Sequence, residues 1–266
     1  MKTPTPRRAA RVSAAIAPAA AAMVLLIAGG TPAEALVNGQ ATSIEQYSHV
    51  VSIRQNGNHI CNGALVNTVT VATAAHCVVP IERSLSSVEV VSGTTYLDSG
   101  GQRHRVSRTY VHPNYNRYGT GRPIDDIGLI QLAQPLQENA GQRPVRLPTS
   151  APYRGERVTV TAWGLTGDKQ RVHNDLRKID AQVMLHDECR TYLQGIMEVG
   201  SKEFCTLIGT GTGTCNGDSG APLVRDSDRT LAGVVSGGLP CARGYPDVQT
   251  SVYPYVSWIR SIVPGV

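Results

Sequence analysis

The chain has 266 residues, of which 41% are hydrophobic and 17% charged, a balance that fits a folded globular protein and excludes a disordered one. Its formal charge of +5 overstates the basicity of the part that folds. Lys2, Arg7, Arg8 and Arg11 lie in the first 35 residues with a single acid, Glu34, which leaves 21 basic against 19 acidic residues afterwards. No basic run or aromatic-interleaved patch follows, so no nucleic-acid partner is expected.

In chain order, a basic start is followed by an Ala-rich apolar run over residues 14–28 and then by Ala33-Glu34-Ala35. That is the layout of a secretory signal with small residues at the cut. A membrane anchor is the other reading, but the run holds 15 residues, is interrupted by Pro18, and falls short of the ~20 that a bilayer requires. The expectation is a signal peptide over residues 1–35 and a secreted, extracellular protein over 36–266, not held in a membrane. Six cysteines, Cys61, Cys77, Cys189, Cys205, Cys215 and Cys241, all follow the signal. An even count in an exported protein reads as three disulfides, although spacing alone does not choose among the pairings. There is no Cys-x-x-Cys and the histidines do not cluster with the sulfurs, so no metal site is expected. The Gly-rich segment 209–213 lacks phosphate-loop spacing, and no cofactor is expected either.

Short β-branched or alternating segments recur at residues 50–53, 64–71, 88–91, 127–132, 158–162 and 231–235, punctuated by many of the 27 Gly and 16 Pro. Many short strands separated by turn signals predict an all-β sandwich or barrel. Only the end reads as helix: over residues 253–263, Val256, Ile259 and Val263 recur on one face. The stretch 137–153, with Pro144, Pro148 and Pro152, is the expected boundary between two halves.

Three segments supply a nucleophile, a base and an orienting carboxylate: Thr73-Ala74-Ala75-His76-Cys77, Asp125-Asp126-Ile127-Gly128 and Gly217-Asp218-Ser219-Gly220. A serine hydroxyl becomes a useful nucleophile when a base within hydrogen-bond reach takes its proton. Histidine suits that task near neutral pH, and a buried carboxylate fixes its tautomer. Glycines beside the serine let backbone N–H groups face a developing oxyanion. Each segment alone has a bland reading, a structural histidine or a simple turn. The order His, Asp, Ser distinguishes the set from the Ser-first α/β-hydrolases and the Asp-first subtilisins, and Ala221 breaks the Gly-x-Ser-x-Gly elbow.

On these segments, with the start Leu36-Val37-Asn38-Gly39 and the tryptophan segments Ala162-Trp163-Gly164 and Ser257-Trp258-Ile259, the chain resembles the trypsin/chymotrypsin-type serine endopeptidases. The resemblance implies two six-stranded antiparallel Greek-key barrels, about 36–145 and 146–266, with a C-terminal α-helix. It also implies the pairings Cys61–Cys77, Cys189–Cys205 and Cys215–Cys241. His76 would be the general base, Asp126 rather than Asp125 the orienting carboxylate, and Ser219 the nucleophile. Gly217 and Ser219 would supply the oxyanion hole, and Ser236 would support the aspartate. A new N-terminus at Leu36 would pair with Asp218, and signal removal itself would generate it. Polypeptides are the implied substrates and protein protease inhibitors a further partner class, with the enzyme a monomer. The alternative is a protease-like binding protein that has lost catalysis.

The specificity pocket departs from trypsin. Gly213 stands where trypsins carry an aspartate, while Asp247 stands where most of the family has glycine, beside Thr214 and Gly238. A glycine base with a displaced aspartate resembles broad-specificity collagenolytic proteases of crabs and favours Arg/Lys or broad P1 acceptance. A chymotrypsin-like preference for large apolar residues stays open, as does a pairing of Asp247 with Arg243 away from substrate. Gly237 replaces the usual large aromatic, which implies a roomier cleft.

Overall fold

A computed structural model describes residues 1–3, 36–116, 122, 124–165, 167, 172–206, 209–239 and 241–266. The expected signal peptide lies outside them except for residues 1–3. The chain divides into two units, 1–32 and 33–266, and every described element belongs to the second.

A short strand β1 (Gln40–Ala41) precedes a closed barrel. Its strands are β2 (Val50–Gln55), β3 (Asn58–Leu65), β4 (Thr70–Thr73), β5 (Val88–Ser92), β6 (Gln102–Val111) and β7 (Gly128–Leu132), in spatial order β2-β3-β4-β7-β6-β5. Next come β8 (Arg157–Ala162), β9 (Arg177–Met184), β10 (Glu203–Thr206), β11 (Pro222–Arg225), β12 (Leu231–Gly237) and β13 (Asp247–Ser251). They are ordered β8-β9-β10-β13-β12-β11, and β8 pairs with both β11 and β9, which closes a second antiparallel barrel of the same connectivity. Closure removes the edges that an open sheet of short strands would expose.

Burial shows why these segments form strands, continuous in β4, β10, β11 and β13 and alternating in β9. In β9, Ile179, Ala181 and Val183 are buried while Asp180 and Gln182 face water. Val51, Ile53, Leu65, Val71, Val90 and Ile130 fill the first barrel; Val158, Val160, Val183, Phe204 and Leu223 fill the second, joined there by Leu36. A further cluster takes residues from both barrels, among them Ala64, Leu129, Val224 and Val234, and is capped by the C-terminal helix. Val256, Ile259 and Val263 are buried as their spacing predicts, within a 3-10 turn (Tyr253–Tyr255) and the helix Val256–Ile262.

Two expectations are corrected. Residues 64–71 are not one strand: β3 ends at Leu65 and β4 begins at Thr70, because the Asn67 side chain accepts the Val69 N–H (2.9 Å) and closes a turn. The C-terminal helix is not the only one. A short helix α1 (Ala75–Val78) follows β4, and α2 (His186–Tyr192) follows β9, so the C-terminal helix is α3. Asp187 and Glu188 in the first turn and Arg190 in the last suit the dipole of α2, and Cys189 anchors it. The disulfides are Cys61–Cys77, Cys189–Cys205 and Cys215–Cys241, with Cα separations of 6.1, 5.7 and 4.3 Å. Each stabilises the fold by roughly 2–4 kcal/mol. Among the described residues no helix is long and apolar enough to cross a membrane.

Candidate active site

His76 sits in α1, just beyond β4, and the Cys61–Cys77 bridge ties that turn to β3. Asp126 precedes β7 and is buried. Its Oδ2 lies 2.7 Å from His76 Nδ1, and its Oδ1 accepts the His76 backbone N–H at 2.9 Å. Two contacts from one carboxylate fix both the ring and the turn that carries it. The Ser236 hydroxyl, from β12, donates to Asp126 Oδ2 at 2.7 Å. Burial works to raise the Asp126 pKa, but the hydrogen bonds from His76 and Ser236 and the charge of His76 outweigh it, and the carboxyl stays below its ordinary value. Asp125 faces elsewhere: with φ of +54° it turns its carboxylate to Lys202 Nζ (2.6 Å) and the Tyr255 hydroxyl (2.8 Å).

Ser219 lies half-buried in the loop from β10 to β11, and that loop is stitched to the first barrel. The Asn62 backbone N–H donates to Ser219 O (2.8 Å), and its side-chain amide donates to Gly217 O (2.8 Å). Gly217 O also meets His59 Nε2 at 3.2 Å. A carbonyl only accepts, so Nε2 carries the hydrogen and Nδ1 accepts from the Ser52 hydroxyl at 2.8 Å. Burial lowers the His59 pKa to about 4, which keeps the ring neutral. Among the described residues no acceptor takes the backbone N–H of Gly217 or of Ser219. Gly220 has φ of +72°, and a Cβ there would stand 2.1 Å from Thr73 Oγ1, so the residue after Ser219 must be glycine.

Beside Ser219 opens a cavity of about 80 Å³ lined by Thr214, Cys215, Asn216, Val235, Gly238 and Asp247, among others. Larger hollows, such as one of about 590 Å³ along residues 190–198, contain none of these groups. Asp247 Oδ2 accepts the Thr214 N–H at 2.8 Å. Burial raises its pKa to about 6 against the pull of hydrogen bonds from Thr214. A Cβ on Gly213 would stand 2.9 Å from Asp247 Oδ2, and one on Gly238 would stand 3.0 Å from Oδ1. A side chain at 213 would therefore crowd the Asp247 carboxylate and oblige it to shift. Asp218, fully buried, accepts N–H groups from Gly164 (2.9 Å) and Cys215 (2.8 Å), and burial pushes its carboxyl well above the usual range. Leu36 is also fully buried, and Val37 pairs with Gly213 in an isolated bridge. The tightest grouping of metal-binding side chains among the described residues, Cys61, His76 and Cys77, has both cysteines in a disulfide.

The structure thus joins His76, Asp126 and Ser236 by hydrogen bonds, and sets Ser219 with Thr214, Gly238 and Asp247 around one cavity. Residues 36–259 match the family model described as Trypsin. The chain belongs to the trypsin family. Trypsin alpha-4 of Lucilia cuprina is 32% identical, with 87% of this chain and 88% of that protein covered. Trypsin alpha of Drosophila melanogaster is also 32% identical (91% and 96% covered), and Chymotrypsin-2 of Vespa crabro is 33% identical (85% and 98%). Among solved structures, neuropsin, a serine protease expressed in the limbic system of mouse brain, superposes with a TM-score of 0.77 at 28% identity, covering 85% of this chain and 98% of that one. This trypsin-family chain is a serine endopeptidase, and its substrates are polypeptides. Sequence reasoning missed Asn62, His59, Arg122 and Glu203, which hold the site from outside; each acts through a long-range contact that leaves no local motif.

Proposed function

We propose that the chain is an exported endopeptidase in which Ser219 attacks the scissile carbonyl, His76 takes its proton, and Asp126 holds the imidazole in the productive tautomer. The observation that carries this reading is the Asp126–His76 pair at 2.7 Å, bonded in turn to Ser236, whose neighbours Val235 and Gly237 line the same cavity as Ser219. With Nδ1 hydrogen-bonded to Asp126, Nε2 is left to act as the base and then to hand the proton to the leaving amine. The N–H groups of Gly217 and Ser219 receive the oxyanion of both tetrahedral intermediates. Water then repeats the attack on the acyl-enzyme with the same base, and the acid product leaves.

Asp247 accepts the substrate's Arg or Lys from the pocket wall rather than from its base, with relaxed selectivity. The backbone of Gly238 pairs with the extended substrate as an added strand. The signal over residues 1–35 is removed at Leu36, whose new ammonium pairs with Asp218, and the mature enzyme acts outside the cell as a monomer open to protein inhibitors. The catalytically silent alternative is not favoured beside named relatives that are trypsins and a chymotrypsin. Hydrolysis of a P1-varied peptide library, with and without a serine-directed organofluorophosphate, tests the reading. Inhibitor-sensitive cleavage led by Arg and Lys is expected; no cleavage by protein beginning at Leu36 would overturn it.

A further inference from the structure

The Ser236 hydroxyl stands between two groups of fixed hydrogen-bonding sense. Asp126 Oδ2, 2.7 Å away, only accepts, and Arg122 Nη2, 2.8 Å away, only donates. A hydroxyl has one hydrogen and turns to suit its neighbours. Facing a guanidinium, Ser236 can offer only a lone pair there, so its hydrogen goes to Asp126.

The guanidinium is itself clamped. Its Nη1 and Nη2 donate to the two oxygens of Glu203 at 2.8 and 2.7 Å, and Nη1 reaches the Glu198 carbonyl at 3.5 Å. Glu203 Oε2 also accepts the Gly200 N–H at 2.6 Å. The Glu203 side chain is 1% exposed and that of Arg122 15%, so this two-pronged pair works largely out of water. The guanidinium packs against the end of β12: a Cβ on Gly237 would stand 3.4 Å from Arg122 Nε, at van der Waals contact.

We infer that Arg122 and Glu203 are positioning residues for hydrolysis: their ion pair orients the Ser236 hydroxyl and, through it, the Asp126 carboxylate that holds His76. The inference rests on the reading of Asp126 as the orienting aspartate. The pair links Glu203 of β10 to Ser236 of β12, and Ser236 carries that link to Asp126 in the segment before β7.

The test uses steady-state turnover of a substrate with a single residue before the scissile bond, so that contacts farther along the cleft are not sampled. Arg122→Met combined with Glu203→Gln removes both charges and avoids an orphaned buried carboxylate. In that variant kcat should fall about tenfold, near the value of one hydrogen bond to a charged group, with KM within about twofold. Ser236→Ala should lose as much, and adding it to the paired variant should cost nothing further, because both act through one hydroxyl. Arg122→Lys, which keeps the charge but loses the fork, should fold and fall between. An unchanged kcat with a lowered melting temperature, or losses that multiply in the triple variant, would overturn the inference. Asp126→Asn separates the two levels. If it stays active, the reading of Asp126 fails and takes the inference with it; if it is inactive while the paired variant keeps full kcat, the inference alone fails.

Discussion

Asp247→Gly removes the carboxylate that lines the cavity beside Ser219 and leaves the Gly213–Gly238 walls in place. Two unit charges 4 Å apart interact by about 4 kcal/mol at an effective dielectric of 20, which bounds the loss for a cationic substrate. At about 1.4 kcal/mol per factor of ten, kcat/KM for cleavage after Arg should fall roughly 10²–10³-fold. Cleavage after Leu should change less than about tenfold, since only packing is lost. A pH series sharpens the assay. Burial holds the Asp247 carboxyl near 6, so the free enzyme carries the charge above that pH and loses it below. The inhibition constant of a small amidinium should therefore be flat at higher pH and rise toward tenfold per unit on going below about 6; in Asp247→Asn it should be weak and flat throughout. Equal losses for Arg and Leu substrates, or amidinium binding independent of pH in the parent enzyme, would refute the reasoning.

Ser219→Ala should reduce turnover by at least about 10³-fold while leaving the melting temperature within a few degrees, as read by peptide hydrolysis and thermal unfolding. Asn62→Ala and His59→Gln each disturb a donor to the Gly217 carbonyl; kcat should fall by about tenfold with KM little changed, and an unchanged kcat would mean that the loop needs no such anchor. His49 is buried with Nε2 unpartnered, and burial, with the charge of Arg229 adding to it, lowers its pKa to about 3. The fold favours the neutral ring, so stability should be full above the unfolded pKa near 6.5 and decline by about 3 kcal/mol on the way to pH 4, a slope that His49→Leu should flatten in denaturant titrations.

The fold was legible wherever one face of a strand meets the core. Residues 50–53, 88–91, 158–162 and 231–235 all sit within strands, since alternation or continuous burial marks them without reference to partners. Strand β6 was not legible, because Gln102–Val111 is largely polar and is held in place by its neighbours β5 and β7 rather than by its own pattern. Strands β10 and β13 hide for a related reason: Glu203 and Asp247 are charged residues buried by their partners, one by Arg122 and one by Thr214. Helix α2, seven residues long, is too short for a period of 3.6 to declare itself. At the site, the same limit divides residues with local context from those without. His76, Asp126 and Ser219 stand in recognisable segments, whereas Arg122 has none until 81 residues of chain bring Glu203 beside it.

Asp218 brings the remaining tension in the fold into view. It is fully buried, two backbone N–H groups only partly offset its desolvation, and its carboxyl is held well above the usual range. A buried carboxylate without a cation is costly, by several kcal/mol in practice. Leu36, docked in the core of the second barrel, has a φ of +49°, a left-handed conformation that costs a non-glycine residue roughly 1–2 kcal/mol while it remains joined to Ala35. Cleavage before Leu36 would free that torsion and create an ammonium on the segment that Val37 and Asn38 already tie to Gly213 and Gly211. Pairing with Asp218 should raise the ammonium pKa above the ~7.7–8.0 of a free α-amino group. Its stabilisation is then complete below that range and lost as pH rises through the higher folded value. Protein beginning at Leu36 should therefore lose kcat/KM along an alkaline limb, and protein that retains Ala35 should be at least about tenfold less active at pH 7, as counted by active-site titration. Full activity in the extended form would mean that the loop before Ser219 is organised by its carbonyl contacts to Asn62 and His59 alone.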